Sequence, residues 1–404
     1  MLRKILCLTS HNLDGPDYGA TIRARNVFRL LSQIGEVRIV LANPYEFADG
    51  TARRTNGGFE LLDVMRFQET KKRSISDRLR YEFDGRFINT DWSQASTGDQ
   101  KKLQGLMAEH DLVWIHGLKI ANGFGLWRWP NAVLDIDDIP SGFHRTDMAQ
   151  ATSVIQKLRR HRQMRLWRRR EKNIVERFDA LCVCSESDRQ ELGGMDKIFV
   201  VPNGFNPPTN PPVRQTSIPP RLGFIGTFQY RPNCEGVNWF IQQVWPQILR
   251  SVPQARLRLI GAGGENLQWP SDQNIDQLGF VNDVEGEMAT WSLSVVPLFV
   301  GGGTRIKIAE AFSRKCPIVS TSLGAFGYDA MNGREILIDD SAEGFAAKCL
   351  QILKNPSEGE RLAENAFQRF LENWTWDSFA GRIAEVVETV SRNTEHRLKP
   401  ALIS

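Results

Sequence analysis

The residues best suited to chemistry lie in the segment Gly301–Glu310 (GGGTRIKIAE), directly after an apolar run. Three consecutive glycines let backbone N–H groups come close to an anion, and a helix that begins near Thr304 adds the partial positive charge of its N-terminus. Arg305 and Lys307 are unfavourable in a first helical turn unless an anion balances them. The pattern therefore predicts a diphosphate site, with a glycine-rich turn beside solvated cations as the alternative.

Glu310 adds a second function to this segment. It follows Lys307 by three residues, which places both side chains on one face of the predicted helix. A carboxylate in that position accepts paired hydrogen bonds from a diol such as a ribose. The segment is therefore a candidate site for the diphosphate and ribose of a nucleotide.

His116 is a candidate of a different kind, because it ends an apolar run and precedes a glycine. The run is Leu112–Ile115, and Gly117 follows the histidine. Open parallel sheets bind ligands at the carboxyl ends of their strands, which favours a substrate site at His116. A purely structural hydrogen bond is the alternative that the residues leave open.

Alternating strand and helix signals position these residues. In the first half, strands are predicted at Lys4–Thr9, Val37–Ala42, Leu112–Ile115, Ala132–Ile136, Ala180–Cys184 and Ile198–Val201. In the second half, they are predicted at Leu222–Ile225, Arg256–Ile260, Leu293–Phe299, Pro317–Ser320 and Glu335–Ile338. Helical spacing is found at Ala20–Gln33, Val237–Leu249, Ser341–Leu353, Ser357–Trp374 and Trp376–Thr394. The alternation predicts an α/β protein of two Rossmann-like, doubly wound domains that face each other across a cleft.

A proline-rich stretch separates the two series of strands. Seven prolines fall within Pro202–Pro220, a density that is typical of a semi-rigid linker. We therefore expect an N-terminal domain over 1–205, a linker over 206–220 and a C-terminal domain over 221–375. A last helix over 376–404 is expected to pack back on the N-terminal domain.

The bulk composition is that of an ordinary globular protein. The chain has 404 residues, of which 41% are hydrophobic and 24% charged, and a net charge of +4 does not argue for nucleic acid. No apolar run reaches the roughly 18 residues of a membrane span, and the first ten residues are interpreted as a strand rather than a leader. Six cysteines in mostly apolar runs indicate buried thiols in a reducing compartment.

The order of these motifs resembles glycosyltransferase family 4, which has the GT-B fold. Gly301–Pro317 with Ser320–Gly327 resembles the donor-binding segment of that family, and the match covers most of the chain outside about 48–105. Further similar motifs, in the family's order, are Asp14–Gly19, Asp111–Gly117, Phe178–Leu192 with Val201–Gly204, Gly223–Trp239 and Leu278–Val281. The resemblance implies transfer of a sugar from a nucleoside-diphosphate sugar, with retention and without a bound metal.

The resemblance also assigns roles to individual residues. It implies that Glu310 binds the ribose hydroxyls, that Phe280 and Val281 border the base, and that His116 lines the sugar site. Gly19 is expected beside the diphosphate. The full donor-binding set is Gly19, Gly226, Arg231, Phe280, Val281, Gly302, Gly303, Thr304 and Glu310. The expected catalytic set is His116, Arg305 and Lys307, and the acceptor-side set is Tyr18 and Asp138.

The chain departs from the family at two places. Glycines occupy the position near Gly301–Gly303 where the family usually has a glutamate that faces the donor sugar. After the first strand of the second domain the chain has Arg231, but Glu235 where a lysine is expected. Diphosphate neutralisation is therefore expected to fall on Arg305, Lys307 and Arg231, and the identity of the donor sugar stays open.

The acidic sequence Asp135-Ile136-Asp137-Asp138 allows two interpretations. Asp135 and Asp137 match the Asp-x-Asp metal site of the other large glycosyltransferase fold, and strand alternation puts both on one side. The alternative is an acidic strand end that caps a following helix. We favour the latter and expect no metal and no cofactor, with Asp138 as an acceptor-side or structural carboxylate.

A strongly basic helix is predicted within 157–172, where nine lysines and arginines accompany a single glutamate. Met164, Trp167, Ile174 and Phe178 recur at helical spacing and are expected to face the core. The cations are either a solvated face or a means of docking on an anionic membrane or near a lipid-linked acceptor.

The function predicted from the sequence is glycosyl transfer to a hydroxyl of a sugar, glycan or lipid-linked acceptor, in bacterial-type polysaccharide or glycolipid assembly. The predicted location is cytoplasmic, with peripheral contact to the inner membrane face as an extension, and no nucleic acid partner is expected. A nucleotide-sugar epimerase on the same fold and a catalytically silent subunit of another transferase are the alternatives.

Overall fold

The computed structural model describes residues 3–15, 19–44, 54–55, 57–69, 74–89, 93–210, 213–264, 267 and 274–398, with side chains up to 393. The chain divides into two units. The first contains residues up to Arg145, Ser153–Pro202 and the residues from Phe379 onward. The second contains Thr146–Thr152 and Asn203–Ser378.

The first unit is built on a parallel sheet of seven strands in the order β3-β2-β1-β6-β7-β8-β9. The strands of the first unit, including the two outside this sheet, are β1 (Arg3–Thr9), β2 (Gly35–Ala42), β3 (Glu60–Met65), β4 (Gln68–Glu69), β5 (Ser93–Gln94), β6 (Leu112–His116), β7 (Ala132–Asp135), β8 (Ala180–Val183) and β9 (Ile198–Val200). Its helices are α1 (Gly19–Ser32), α2 (Ile75–Phe83), α3 (Thr97–Ala108), α4 (Leu118–Gly123), α5 (Pro140–Ala149), α6 (Val154–Ile174) and α7 (Glu186–Glu191), together with α14 (Ala380–Leu398). Strands β4 and β5 form a separate antiparallel pair, and the end of α5 is grouped with the second unit.

The second unit is built on a parallel sheet of six strands in the order β12-β11-β10-β13-β14-β15. Its strands are β10 (Arg221–Ile225), β11 (Arg256–Ile260), β12 (Ile275–Gly279), β13 (Leu293–Val296), β14 (Ile318–Ser320) and β15 (Leu337–Ile338). Its helices are α8 (Arg231–Trp239), α9 (Trp245–Ser251), α10 (Val284–Ala289), α11 (Ile306–Ser313), α12 (Ala342–Lys354) and α13 (Pro356–Asn373). A 3-10 turn at Asp377–Phe379 precedes α14.

The central strands of both sheets are buried along their whole length and mostly apolar, as is usual for parallel strands covered on both faces. In β6, β7, β8 and β13 every residue is buried. Amphipathic helices close the faces, and α1 buries Val27, Phe28, Leu30 and Leu31. The prediction of two doubly wound parallel sheets is confirmed.

Each sheet reverses its strand order at one point. In the first unit β1 lies between β2 and β6, and in the second unit β10 lies between β11 and β13. A crevice opens outside the strand carboxyl ends where the order reverses, and that is where such sheets bind ligands. The topology therefore directs attention to Thr9 and His116 in one unit and to Gly226 in the other.

The unit boundaries lie near the predicted linker. The predicted linker covers 206–220 and the predicted last helix begins at 376, whereas the units change over at Pro202/Asn203 and at Ser378/Phe379. Helix α14 packs on α1 and on strands β6 to β9, with Ile383, Val386, Val387 and Val390 buried. The excursion of Thr146–Thr152 into the second unit carries no signal in the sequence.

Two helices differ from their predicted form. The helix predicted from Thr304 begins at Ile306, with Arg305 as its extended N-cap, because Thr304 is bonded to Asn203 instead of turning into the helix. The helix predicted over 237–249 is interrupted by a π-helical turn at Phe240–Val244. Pro246 follows that turn and has no N–H for the regular hydrogen bond.

Two further predictions concern the cysteines and the membrane spans. Five of the six cysteines are buried as free thiols, and Cys234 is half-buried. Within the described part of the chain, none of the helices combines the length and hydropathy that a membrane span requires.

Candidate functional site

In the second unit, a close approach of backbone and side chains follows β10. Gly226 directly follows that strand and lies beside Gly261, where an added Cβ would lie 2.1 Å from the Gly226 carbonyl oxygen. A Cβ on Gly226 would lie 2.8 Å from Asn233 Nδ2 and 3.0 Å from Lys307 Nζ. Glycine at 226 leaves these two side chains in place, and its φ of 155° is one that other residues rarely adopt.

Lys307 is held at this point by two partners. Its Nζ donates a hydrogen bond of 2.8 Å to Asn233 Oδ1 and lies 4.0 Å from the centroid of the Phe224 ring. Asn233 is in turn fixed, because its Nδ2 donates to the Thr227 carbonyl oxygen at 2.8 Å. The ammonium group is therefore positioned at the carboxyl end of β10, where an anionic ligand of such a sheet binds.

The charge of Lys307 is poised for change. Burial lowers the pKa of Lys307 from 10.5 to about 7; the neighbouring charge of Arg305 also lowers it, while Glu310 raises it. A lysine in this condition gains most from an anion placed beside it, because the anion restores the protonated form.

The glycine-rich turn before α11 is shaped around Arg305. Gly301 and Gly303 have positive φ angles of 137° and 60°. The Arg305 guanidinium donates through Nη1 to the carbonyl oxygens of Gly302 and Gly303. Its buried Nη2 has no hydrogen-bond partner among the described groups, and a Cβ on Gly301 would lie 2.7 Å from it. A buried donor without a partner is costly, which points to a ligand that accepts from it.

The same turn is held in place from behind. Asn203 donates to Thr304 through its backbone N–H (2.9 Å to Oγ1) and its Nδ2 (3.2 Å to the carbonyl oxygen). Tyr328 donates through its hydroxyl to the Asn203 carbonyl oxygen at 3.0 Å. Gly301 donates its N–H to Thr146 Oγ1 at 3.1 Å. The turn is therefore fixed by residues that lie outside α11.

Two predicted donor contacts are already engaged with protein groups. Glu310 forms an ion pair with Arg314 at 3.1 Å, one turn further along α11. Arg231, at the start of α8, bonds to Asp147 at 2.6 Å and to Glu235 at 2.9 Å. A ligand that uses either side chain must share it with these partners.

Phe280 and Val281 follow β12, the third strand of the same sheet. The Phe280 ring is 82% exposed, and Val281 packs partly against the apolar core. An exposed aromatic ring at a strand end is available for stacking on a flat group. No described contact joins this pair to Lys307 or Arg305.

In the first unit, His116 ends β6 in a buried polar cluster. Its Nδ1 is 3.4 Å from Thr9 Oγ1, and its ring centroid is 5.4 Å from that of His11. Burial lowers the pKa of His116, although Asp135 and Asp137 oppose this, and burial lowers the pKa of His11 to about 4. Both imidazoles are therefore neutral near pH 7 and offer one donor and one acceptor each.

Asp135 and Arg23 form a fully buried ion pair beside this cluster. The shortest nitrogen–oxygen distance is 2.5 Å, and both side chains are 0% exposed. Arg23 also donates to the Val201 carbonyl oxygen at 2.9 Å. Asp137 differs, since it is half-buried and accepts from Cys184 Sγ at 3.2 Å. Asp135 is therefore committed to Arg23, while Asp137 keeps a separate partner.

The remaining predicted residues lie around the same strand ends or outside the described residues. Gly19 is the first residue of α1, and Asp138 is exposed just before α5. Tyr18 lies outside the described residues. Among the described residues, no group of three or more His, Cys, Asp or Glu side chains is placed to hold a metal ion.

Several residues of these two sites were not found by sequence reasoning. Asn233 and Thr9 have ordinary polar side chains, and only the sheet topology brings them to Lys307 and His116. Asn203 was part of a recognised motif, but its hydrogen bonds to Thr304 were not predicted. His11 follows β1 by two residues and could have been found as a second strand-end histidine.

Comparison with known proteins finds similarity to a family of sugar-transferring enzymes within the second unit. Residues 219–355 match the family model described as glycosyl transferases group 1. The chain is 25% identical over 248 residues to the glycogen synthase of Mycobacterium tuberculosis, covering 57% of this chain and 58% of that protein. It is 23% identical over 161 residues to an uncharacterized 44.6 kDa protein in the cps region of Klebsiella pneumoniae, covering 37% of this chain and 42% of that protein. The chain thus spans about half the length of these curated relatives.

Solved structures of similar fold extend over nearly the whole chain. The sucrose-phosphate synthase of Thermosynechococcus elongatus superposes with a TM-score of 0.67 at 16% identity, over 96% of this chain and 99% of that one. HepE of Anabaena, in complex with UDP and glucose, superposes with a TM-score of 0.63 at 15% identity, over 96% of this chain and 100% of that one. These likenesses confirm the predicted GT-B fold, and the family match concerns residues 219–355 of the second unit.

Proposed function

We propose that this chain transfers a sugar from a nucleoside-diphosphate sugar to a hydroxyl group of a glycan or lipid-linked acceptor, with retention at the anomeric carbon. The proposal places it in glycosyltransferase family 4, with a glycine-rich variant of the donor segment, and in polysaccharide or glycolipid assembly. The group 1 match over 219–355 supports the reaction class. The UDP bound by HepE makes uracil the first base to test.

The observation that carries the proposal is the arrangement of cations at the strand reversal of the second unit. Lys307 is anchored by Asn233 beside Gly226, and Arg305 presents a buried, unpartnered Nη2 in the adjoining glycine-rich turn. A diphosphate supplies acceptor oxygens for Arg305 and negative charge for Lys307. Both cations then stabilise the charge that develops on the leaving diphosphate.

In the proposed reaction the bond from the anomeric carbon to the diphosphate oxygen breaks as a bond to the acceptor oxygen forms. The departing phosphate oxygen takes the proton of the acceptor hydroxyl. The second unit therefore needs no protein base at the reacting atoms, only groups that bind and stabilise the diphosphate. Glu310 holds the ribose hydroxyls while it remains paired with Arg314, and Phe280 stacks beside the base.

In the first unit, the proposal assigns sugar and acceptor contacts to His116 and Asp138. A neutral His116 donates to or accepts from a sugar hydroxyl without placing a second charge in the site. No divalent ion is proposed, because Asp135 is committed to Arg23 and cannot join Asp137 in a metal site. Lys307 and Arg305 take the place of a metal opposite the diphosphate.

The test is binding and turnover with a panel of nucleotide sugars. Thermal shifts with UDP-, GDP- and ADP-sugars identify the base, and release of free nucleotide in the presence of acceptor measures transfer. We expect Lys307→Gln to lower kcat/KM about 10²- to 10³-fold. Lys354→Gln, at an exposed lysine of the same unit, is the matched control and should leave kcat/KM unchanged. Turnover should persist in EDTA.

Other outcomes distinguish the competing functions. Conversion of the donor sugar without acceptor and without net nucleotide release indicates an epimerase. Binding without turnover, with every acceptor tested, indicates a silent subunit. Loss of turnover in EDTA and its recovery with Mg²⁺ or Mn²⁺ contradicts the metal-independent mechanism. An NMR spectrum of the product that shows inversion at the anomeric carbon contradicts retention.

A further inference from the structure

Helix α2 turns its apolar side chains toward solvent. Ile75, Leu79 and Phe83 recur every four residues, so they form one stripe along the helix. They are between 56% and 78% exposed, and α2 buries none of its residues. An amphipathic helix normally buries this stripe against its own protein, so the stripe of α2 is available to something outside the unit.

The first turns of helix α6 show the same feature. Val154, Ile155 and Leu158 are between 63% and 73% exposed, beginning directly after the Ser153 N-cap. Later in the same helix, Met164, Leu166 and Ile174 are buried in the first unit. The exposed apolar residues are thus confined to the start of α6.

The two helices are bound to each other through their inner sides. Tyr81 donates through its hydroxyl to Gln163 Oε1 at 3.2 Å, and Arg162 pairs with Glu82. Arg170 donates to the Tyr81 carbonyl oxygen at 2.6 Å. We call the exposed residues Ile75–Phe83 and Val154–Arg165 of these neighbouring helices the α2–α6 surface.

The α2–α6 surface is strongly cationic as well as apolar. Arg78, Lys157, Arg159 and Arg165 are exposed, and within the described residues none of them pairs with a carboxylate. The carboxylates nearby are engaged: Asp77 accepts from Ser74, Glu82 pairs with Arg162 and Asp84 pairs with Arg80. In the sequence, Lys71, Lys72 and Arg73 directly precede Ser74, the N-cap of α2.

We propose that the α2–α6 surface docks this protein on an anionic lipid bilayer, with α2 lying in the plane of the interface. The exposed aliphatic and aromatic side chains can insert at the boundary between headgroups and acyl chains. The cations around them can bind the phosphates of the lipid headgroups. A nucleic acid would satisfy the cations but would leave Ile75 and Leu79 in water. The inference does not rest on the proposed reaction.

The experiment is co-sedimentation of the full chain with vesicles of phosphatidylcholine alone and of phosphatidylcholine mixed with phosphatidylglycerol. We expect binding to the mixed vesicles only, weakened by salt. Each neutralised cation should lower the partition coefficient about fivefold, so the pair Lys157→Gln and Arg159→Gln should lower it about 25-fold. Arg250→Gln with Lys354→Gln removes the same charge from exposed positions of the second unit and should have no effect.

The apolar stripe is tested separately from the charges. Leu79→Ser with Phe83→Ser should lower the partition coefficient more than tenfold at constant net charge. Hydrogen exchange on vesicles should show protection of the amides of 75–83 and of 154–160. A thermal unfolding midpoint equal to that of the unaltered protein shows that each variant is folded.

Three results would overturn the inference. Equal binding to both kinds of vesicle excludes recognition of anionic lipid. Unchanged binding of the Leu79→Ser, Phe83→Ser variant excludes insertion of α2. Absence of vesicle binding, together with a concentration-dependent dimer that Leu79→Ser dissociates, assigns the surface to a second copy of the chain instead.

Discussion

At the scale of single residues, Lys307 is the side chain on which the proposed site depends. Burial and the charge of Arg305 disfavour its protonated form, while Glu310 and the ring of Phe224 favour it. Its pKa of about 7 lies below the ordinary value of 10.5, so the free protein carries a largely neutral lysine above neutral pH. A bound diphosphate needs the charged form.

The affinity for a nucleoside diphosphate should therefore fall as the pH rises above about 7, since binding must then include uptake of a proton. The expected limit is about tenfold per pH unit, until the pKa of Lys307 in the complex is reached. Calorimetric titrations in buffers of different ionisation enthalpy measure this uptake. The folding stability of the free protein should change in the opposite direction to the affinity. Between pH 7 and 10.5 Lys307 binds a proton in the unfolded chain but not in the folded protein, so the free energy of unfolding rises with pH in that range. Lys307→Gln should abolish both dependences; a pH-dependent affinity that survives it would implicate another group.

The buried pair of Arg23 and Asp135 predicts a large effect on stability. Asp135→Asn leaves the Arg23 guanidinium buried without its counter-charge, which should cost about 3–5 kcal/mol in the free energy of unfolding of the first unit. Urea titration followed by circular dichroism measures the loss. Glu36→Gln breaks an exposed pair with Arg38 in the same unit and should cost less than about 1 kcal/mol. Equal effects of the two substitutions would contradict a structural role for Asp135.

At the scale of elements, the ends of strands β10 and β11 and the start of helix α11 pack closely around Gly226 and Gly261. The carbonyl oxygen of Gly226 lies close to Gly261, and the side chains of Asn233 and Lys307 lie close to the Gly226 Cα. The geometry favours glycine because a Cβ would crowd Asn233 and because the φ of 155° is strained for any other residue. The strand ends are therefore part of the binding chemistry.

Gly226→Ala should lower kcat/KM with the nucleotide sugar by up to about 10²-fold, because a Cβ 2.8 Å from Asn233 Nδ2 shifts the side chain that anchors Lys307. The free energy of unfolding should fall by about 1–3 kcal/mol from overpacking. Gly381→Ala is the control, since a Cβ at that position of α14 meets no atom within 4 Å. Steady-state kinetics and urea titration separate the two effects, and a Gly226→Ala enzyme with normal kcat/KM would remove Gly226 from the site.

The elements were predicted better than the contacts between them. Apolar runs of the right length identified most strands of both sheets, because buried parallel strands have few other sequences open to them. The start of α11 was placed too early, because the hydrogen bonds from Asn203 to Thr304 span about a hundred residues and leave no local trace. The same holds for Asn233 beneath Lys307 and for the bonds of Arg231 to Asp147, which arise only after folding.

At the scale of the whole molecule, the chain supplies the first unit from both of its ends. Helix α14 covers strands β6 to β9 with Ile383, Val386, Val387 and Val390. The sequence predicted this helix from its spacing, and the units group it with the residues before Arg145. The apolar core of the first unit is therefore incomplete without the residues of α14, which lie more than two hundred positions downstream of β6 and β7.

Ile383→Ala should lower the stability of the first unit by about 2–5 kcal/mol, because Ile383 is fully buried and the cavity cannot be filled by solvent. Hydrogen exchange of the amides of β6 to β8 measures the loss locally. Glu388→Ala, at an exposed position of the same helix, should change stability by less than about 0.5 kcal/mol. If the amides of β6 to β8 exchange no faster in Ile383→Ala, the helix contributes less to this unit than its burial indicates.

The division of the first unit between distant parts of the chain has a consequence for synthesis on the ribosome. Domains generally acquire their structure in the order in which they emerge, the earliest first. Here the sheet that begins at Arg3 still lacks one covering layer when the nascent polypeptide has already exposed Asn203–Ser378. The second unit can therefore reach its native state before the first, and for that interval the uncovered face of β6 to β9 is the surface that a chaperone would have to shield.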